Sequence, residues 1–353
     1  MFPSAFFLPS MRNTAQILSL YILGCSAVDA ITSNRNHLQF YKEIRYPWYN
    51  KEWPTCSNRT LCPSSSNYTW NYTFGQLLGL KVKNFVFGGY AIGRNAEIER
   101  DWPRDRDWPE DEFKDLKAHV ESLGGKILLN LGRYIADTFN KTAFGHSVKN
   151  FTDRCPVDGF QVRMVFEGSE RRRHDPKHAK EILEVTKEAG KEAALRFSAK
   201  DWQKTKEAGL GEVADVNLVN LWPSCNESYP KFNTDQFVEK VINKATLAGV
   251  DPGSLIIEIP LFVANSCEVE DVGYSDVILD YGASPTGNGS ILYDHGYRIH
   301  PRYFFSQTRA VEKVDLAREY GLHGMLLHGG DGWTQDLYPW DDNSLINALS
   351  KKF

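Results

Sequence analysis

The sequence has no basic block, no cysteine pair at CxxC spacing and no apolar run long enough to cross a bilayer. A membrane span needs roughly 20 apolar residues, and the stretch from Ile17 to Leu23 falls far short. Arg171-Arg172-Arg173 is too short to follow a nucleic-acid backbone, and 41 Lys and Arg against 45 Asp and Glu give a formal charge of −4. The acidic stretch Asp336–Asp342 lacks the ligand spacing of a calcium loop, no Cys/His spacing suggests zinc, and no GxSxG elbow is present. No metal, cofactor, nucleic acid or membrane span is therefore expected. What is present is a chain of 353 residues with 42% hydrophobic and 24% charged residues, which excludes disordered and fibrous classes. Aromatics reach 13%, and rings serve both cores and sugar-stacking clefts.

Arg12, the apolar run and the small residues Gly24, Ser26 and Ala27 have the layout of a secretory signal. Residues 1–30 are read as that signal, cleaved after Ala27 or Ala30 and starting at Met1 or Met11, with the mature domain at 31–353. Seven N-glycosylation sequons fit the same compartment: Asn58, Asn67, Asn71, Asn140, Asn150, Asn226 and Asn288. Cleavage would leave five cysteines, an odd number. Cys56 with Cys62 and Cys225 with Cys267 are the candidate disulfides, and Cys155 is the leftover thiol. A secreted, extracellular glycoprotein is expected.

Short apolar runs alternate with amphipathic stretches, the pattern of a parallel sheet with helices outside. Strands are predicted from Gln39 to Tyr41, Asn84 to Tyr90, Lys126 to Leu131, Val157 to Phe166, Ala193 to Ser198, Asp215 to Leu221, Ser254 to Pro260 and Gly324 to Leu327. Helices are predicted at 110–123, 176–189, 199–208 and 234–248, at 300–320 in the main, and at 344–349. Eight strands with no Gly/Ser-rich linker predict an α/β fold, a single (β/α)8 TIM barrel.

The fourth of these strands, DGFQVRMVF from Asp158 to Phe166, resembles the DGxDxDxE strand of glycoside hydrolase family 18, the chitinase family. KILLNLG (126–132), the segment 215–222, SLIIEIP (254–260) and GLHGMLLHGGD (321–331) fall in that family's order around it. The resemblance implies that a strand-four Glu donates a proton to the glycosidic oxygen while the substrate's acetamido carbonyl acts as nucleophile. Period-two geometry puts positions 161, 163 and 165 on one strand face, pointing into the barrel. Here they are Gln161, Arg163 and Val165, so the motif is degenerate and the acid is an aliphatic group; Asp158 is assigned to strand entry. The family's sixth-strand Tyr-Asp pair aligns with Leu221 and Trp222, and its eighth-strand Trp with His328. Loss of a general acid costs on the order of 10²–10⁴ in rate.

A hydrolytically inactive chitinase-like protein is therefore expected, binding a glycan such as a chitin or N-acetylglucosamine oligomer, or a protein partner. Alternatives are an active hydrolase using displaced carboxylates, Glu167 or Asp331, and a structural glycoprotein without a ligand. Ligand-binding candidates are Tyr41, Phe87, Trp222, Glu258, His328, Asp331 and Trp333. Trp102, Trp108 and Trp340 are further rim aromatics that either stack on sugars or wedge loops. Glu258 is expected to pair across the lumen with Arg163, because a buried guanidinium requires an anion.

Overall fold

Apolar residues on both faces of short segments make each strand a candidate for a parallel sheet covered by helices. The computed structural model describes residues 38–45, 70–101, 110–134, 139–166, 175–223, 231–265, 268–294, 299–329 and 335–353. Eight parallel strands close into a barrel: β1 (Gln39–Arg45), β2 (Asn84–Ile92), β4 (Ile127–Tyr134), β5 (Gly159–Arg163), β6 (Glu192–Ser198), β7 (Val216–Asn220), β8 (Leu255–Pro260) and β13 (Gly324–His328). Closure occurs at β1, which pairs with both β2 and β13. β3 (Ile98–Arg100) folds back antiparallel on β2. The helices are α1 (Trp70–Gly79), α2 (Glu110–Ser122), α3 (Lys141–Arg154), α4 (Pro176–Glu188), α5 (Trp202–Glu207), α6 (Leu210–Val213), α7 (Asp235–Leu247), α8 (Tyr274–Leu279), α9 (Gln307–Glu319) and α10 (Leu345–Ser350). The expected single (β/α)8 barrel is the observed fold.

Local chemistry sets several of these boundaries. Asp175 caps α4 by accepting from the Lys177 N–H, with Pro176 in the first turn. Ser306 and Ser344 cap α9 and α10 in the same manner. Gly159 is required by close approach: a Cβ there would lie 2.2 Å from the Glu192 carbonyl oxygen. Asp158 Oδ2 accepts from the Ile127 N–H at 2.6 Å, and Oδ1 lies 3.0 Å from Lys117 Nζ, which is the strand-entry role expected of it.

Three expectations require correction. β5 ends at Arg163 rather than Phe166, so Val165 lies past the ladder and is half-buried. Residues 299–303 form strand β12 rather than the start of a helix; α9 begins only at Gln307. Between β8 and α9 an antiparallel sheet is inserted, in the order β10 (Glu268–Gly273), β9 (Phe262–Asn265), β12 (Ile299–Tyr303), β11 (Ser290–Asp294). Its strands carry Glu, Asp, Pro and Arg, so they lack the continuous apolar signal of barrel strands.

The floor of the barrel is apolar. Tyr41, Val86, Leu128, Ala194, Val216, Leu218, Ile256 and Leu326 form an interior cluster distinct from the larger core between strands and helices. After β13 the chain is pinned by Asp336, whose carboxylate accepts from the N–H groups of Leu337, Leu345 and Ile346. Burial raises its pKa to about 6, against the opposing pull of those N–H groups and of Lys42. The folded state thus binds this proton more tightly than the unfolded chain, so the group's contribution is greatest at low pH and is lost as pH rises through about 6. Relative to Asp336→Asn, the wild type should lose roughly 2–3 kcal/mol of stability between about pH 4 and pH 7. Urea titrations across that range test this, and a relative stability that rises with pH would contradict it.

Candidate functional site

Above the apolar floor, the inward positions become polar. Arg196 of β6 is buried and bridges two carboxylates: Nη1 donates to Glu43 Oε2 of β1 at 3.2 Å, and Nη2 donates to Glu258 Oε1 of β8. Asn130 of β4 donates from Nδ2 to Glu43 Oε1 at 3.3 Å. His328, at the end of β13, bonds to Glu43 Oε2 through Nδ1. The same Nδ1 lies 3.0 Å from Arg196 Nη2, so the ring meets both partners of the Glu43–Arg196 pair. Burial pulls the Arg196 guanidinium down, but Glu258 and Glu43 more than offset it and hold its pKa above the usual range.

This corrects the expected ion pair. Glu258 pairs with Arg196, not with Arg163, which ends β5 in a half-buried position. Arg163 and Arg196 are register neighbours on adjacent strands, but Arg163 is the last residue of β5, whereas β6 continues past Arg196 to Ser198. Glu43 and Arg196 were both missed by sequence reasoning. Each was legible: Glu43 has the parity of inward Tyr41, and Arg196 the parity of inward Ala194.

The remaining candidates separate clearly. Tyr41 lies on the barrel floor, with its hydroxyl 3.2 Å from His323 Nε2, and burial holds its pKa above the usual range. Phe87 points outward, packing edge-on against Phe74 and Phe113. Neither can touch a ligand at the mouth. Trp222 does border it: it is half-buried, its ring perpendicular to Phe262 and 6.1 Å from the His328 ring. Trp340 stacks on Tyr338 at 4.7 Å and meets Tyr72 edge-on, the loop-wedging alternative. Cys155 is half-buried. The signal segment, Glu167, Asp331, Trp102, Trp108 and Trp333, Cys56, Cys62, Cys225 and Cys267, and the sequons Asn58, Asn67 and Asn226 lie outside the described residues. Asn71 falls within α1.

A ring of buried polar atoms around the mouth has no hydrogen-bond partner among the described residues: Asn130 Oδ1, both amide atoms of Gln161, Asn220 Oδ1, Trp222 Nε1 and Glu258 Oε2. Gln161 is fully buried beside Asn130 and Ala194 in register. No cluster of His, Cys, Asp and Glu able to hold a metal ion occurs among the described residues.

No protein-family model matches the chain, and no curated protein matches it. Solved structures do. A family 18 N-acetylglucosaminidase from Paenibacillus barengoltzii is 13% identical, with 90% of this chain and 100% of that one covered at a TM-score of 0.61. The second catalytic domain of the group II chitinase of Ostrinia furnacalis is 14% identical, covering 83% and 89% at 0.56. The spore cortex-lytic enzyme SleL of Bacillus megaterium is 11% identical, covering 89% and 73% at 0.56. The chain therefore has the barrel fold of glycoside hydrolase family 18. At these identities the likeness shows the fold alone.

The bridging Arg196 generates a stability prediction. Arg196→Met leaves two buried carboxylates uncompensated and should cost about 3–5 kcal/mol. Adding Glu43→Gln and Glu258→Gln should return most of that loss, because the desolvated charges are then gone. Urea denaturation measures both; a single variant as stable as the wild type would show that the network is not balanced by this residue.

Proposed function

We propose that this chain is a secreted, N-glycosylated chitinase-like protein that binds a glycan of the N-acetylglucosamine-oligomer class at its barrel mouth without hydrolysing it. The observation that carries the reading is the ring of unpartnered atoms from Asn130, Gln161, Asn220, Trp222 and Glu258. A buried polar atom without a partner costs about 1–3 kcal/mol, so a ligand rich in hydroxyl and amide groups has something to satisfy. Most of these groups are neutral, which suits an uncharged polyhydroxylated ligand. One neighbour in fold, the Ostrinia furnacalis domain, was solved with (NAG)5 bound.

Lack of hydrolysis is argued from the same place. Where the family resemblance puts the proton donor, this chain has Val165, past the end of β5. Among the described residues, the two carboxylates that reach the mouth, Glu43 and Glu258, both accept from Arg196. Secretion is supported by the sequons that can be placed: Asn140, Asn150 and Asn288 are all exposed. At Asn288 the hydroxyl of the sequon's own Ser290 donates to Oδ1 at 2.8 Å.

Calorimetric titration of the secreted protein with soluble chitooligosaccharides should show saturable binding, weakened several-fold by Trp222→Ala. Fluorogenic N-acetylglucosamine oligomers should give no turnover. Absence of any binding heat would overturn the glycan reading, and turnover abolished by Glu167→Gln would overturn the inactive one.

A further inference from the structure

A second concavity lies between α3 and the β2–β3 hairpin, with a volume of about 510 Å³. That is within the roughly 300–1,000 Å³ of cavities that take a ligand the size of a few sugar rings. Glu97 and Ile98 of the hairpin face His146, Asn150, Phe151 and Arg154 of α3 across it. The hairpin is fixed to the helix by the Ile98 N–H, which donates to Ser147 Oγ at 2.8 Å. Asn140 and Asn150, the acceptors of two separate sequons, both line the same groove. Ten residues of helix separate them by about 15 Å along the axis.

Asn140 is also the N-cap of α3, its Oδ1 accepting from the Ala143 N–H at 3.0 Å. The cap uses the amide oxygen alone. The nitrogen, where an N-glycosidic bond forms, is held at the groove's edge in a fixed orientation. We propose that an N-linked glycan on Asn140 lies along this groove, over His146 and toward Arg154, and closes this face of the barrel to other partners. Attachment replaces the diphosphate at the anomeric carbon of a lipid-diphosphate-linked oligosaccharide by the Asn140 nitrogen. The nitrogen gives up one proton to the transferase, and the lipid diphosphate leaves. The cap survives because Oδ1 is untouched. Imidazole, guanidinium and carboxylate groups along the walls supply donors and acceptors for sugar hydroxyls, and Phe151 and Ile98 supply an apolar contact.

The inference rests on entry into the secretory pathway, as proposed above, but not on ligand binding at the mouth. The test uses protein secreted from a glycosylating host. Glycopeptide mass spectrometry should find Asn140 occupied, and carbethoxylation of His146 by diethyl pyrocarbonate should be slow. Thr142→Ala removes the sequon but keeps the Asn140 cap, and it should speed His146 modification several-fold. Thr152→Ala, which removes only the Asn150 sequon, should leave His146 protected. An unoccupied Asn140, or equal His146 rates in wild type and Thr142→Ala, overturns the proposal. Chitooligosaccharide titration of the same samples reads the mouth independently, so the two failures are distinguishable.

Discussion

A guanidinium buried in the middle of a barrel is a constraint that the surrounding strands must satisfy. Removing an unpaired cation from water costs several kcal/mol even after relaxation, and only well-placed anions repay it. Arg196 meets that requirement with Glu43 on one side and Glu258 on the other, and the demands then spread. Glu43 has acceptor capacity left over, which Asn130 fills, and His328 Nδ1 sits against both the carboxylate and the guanidinium. Five strands, β1, β4, β6, β8 and β13, are thereby tied through side chains as well as through the sheet. The apolar layer beneath needs no such coordination, since Val, Leu and Ile make no directional demands.

The same network decides what the mouth has left to offer. Glu43 and one oxygen of Glu258 are spent on internal compensation. Among the described residues, the groups at the mouth that are not spent are amides, an indole N–H and the second oxygen of Glu258. Such a set can hold hydroxyl and amide groups in place. A reaction that breaks a glycosidic bond needs a group free to release a proton at the leaving oxygen. A carboxylate shared with a guanidinium is poorly suited to that, whatever scaffold surrounds it.

The barrel was legible because its strands are short and apolar, and because a one-residue shift would turn every inward side chain outward. The network was less so. Glu43 lies two residues beyond the segment predicted as strand, and parity alone identifies it once β1 is extended to Arg45. Arg196 sits among Ala, Leu and Phe in a strand that was correctly located, yet its charge drew less notice than Arg163 in the degenerate motif. Pairing Arg163 with Glu258 used the right chemistry and the wrong strand. The inserted sheet was illegible for a different reason: Asp271 and Pro301 interrupt the alternation that marks half-buried strands.

His328 shows how a single strand can position a residue from both sides. Within β1, Lys42 and Glu43 point to opposite faces, and both are fully buried. Glu43 reaches inward to His328 Nδ1, while Lys42 reaches outward and donates from Nζ to the carbonyl of Gly329 at 2.9 Å. Gly329 has a φ of 123°, a conformation that favours glycine, so the chain can turn at the point where that carbonyl is held. The ring at the mouth is thus located by adjacent residues of one strand, acting on its side chain and on the backbone that follows it. The side chain of His328 and the backbone that follows it are consequently both held by the rigid barrel.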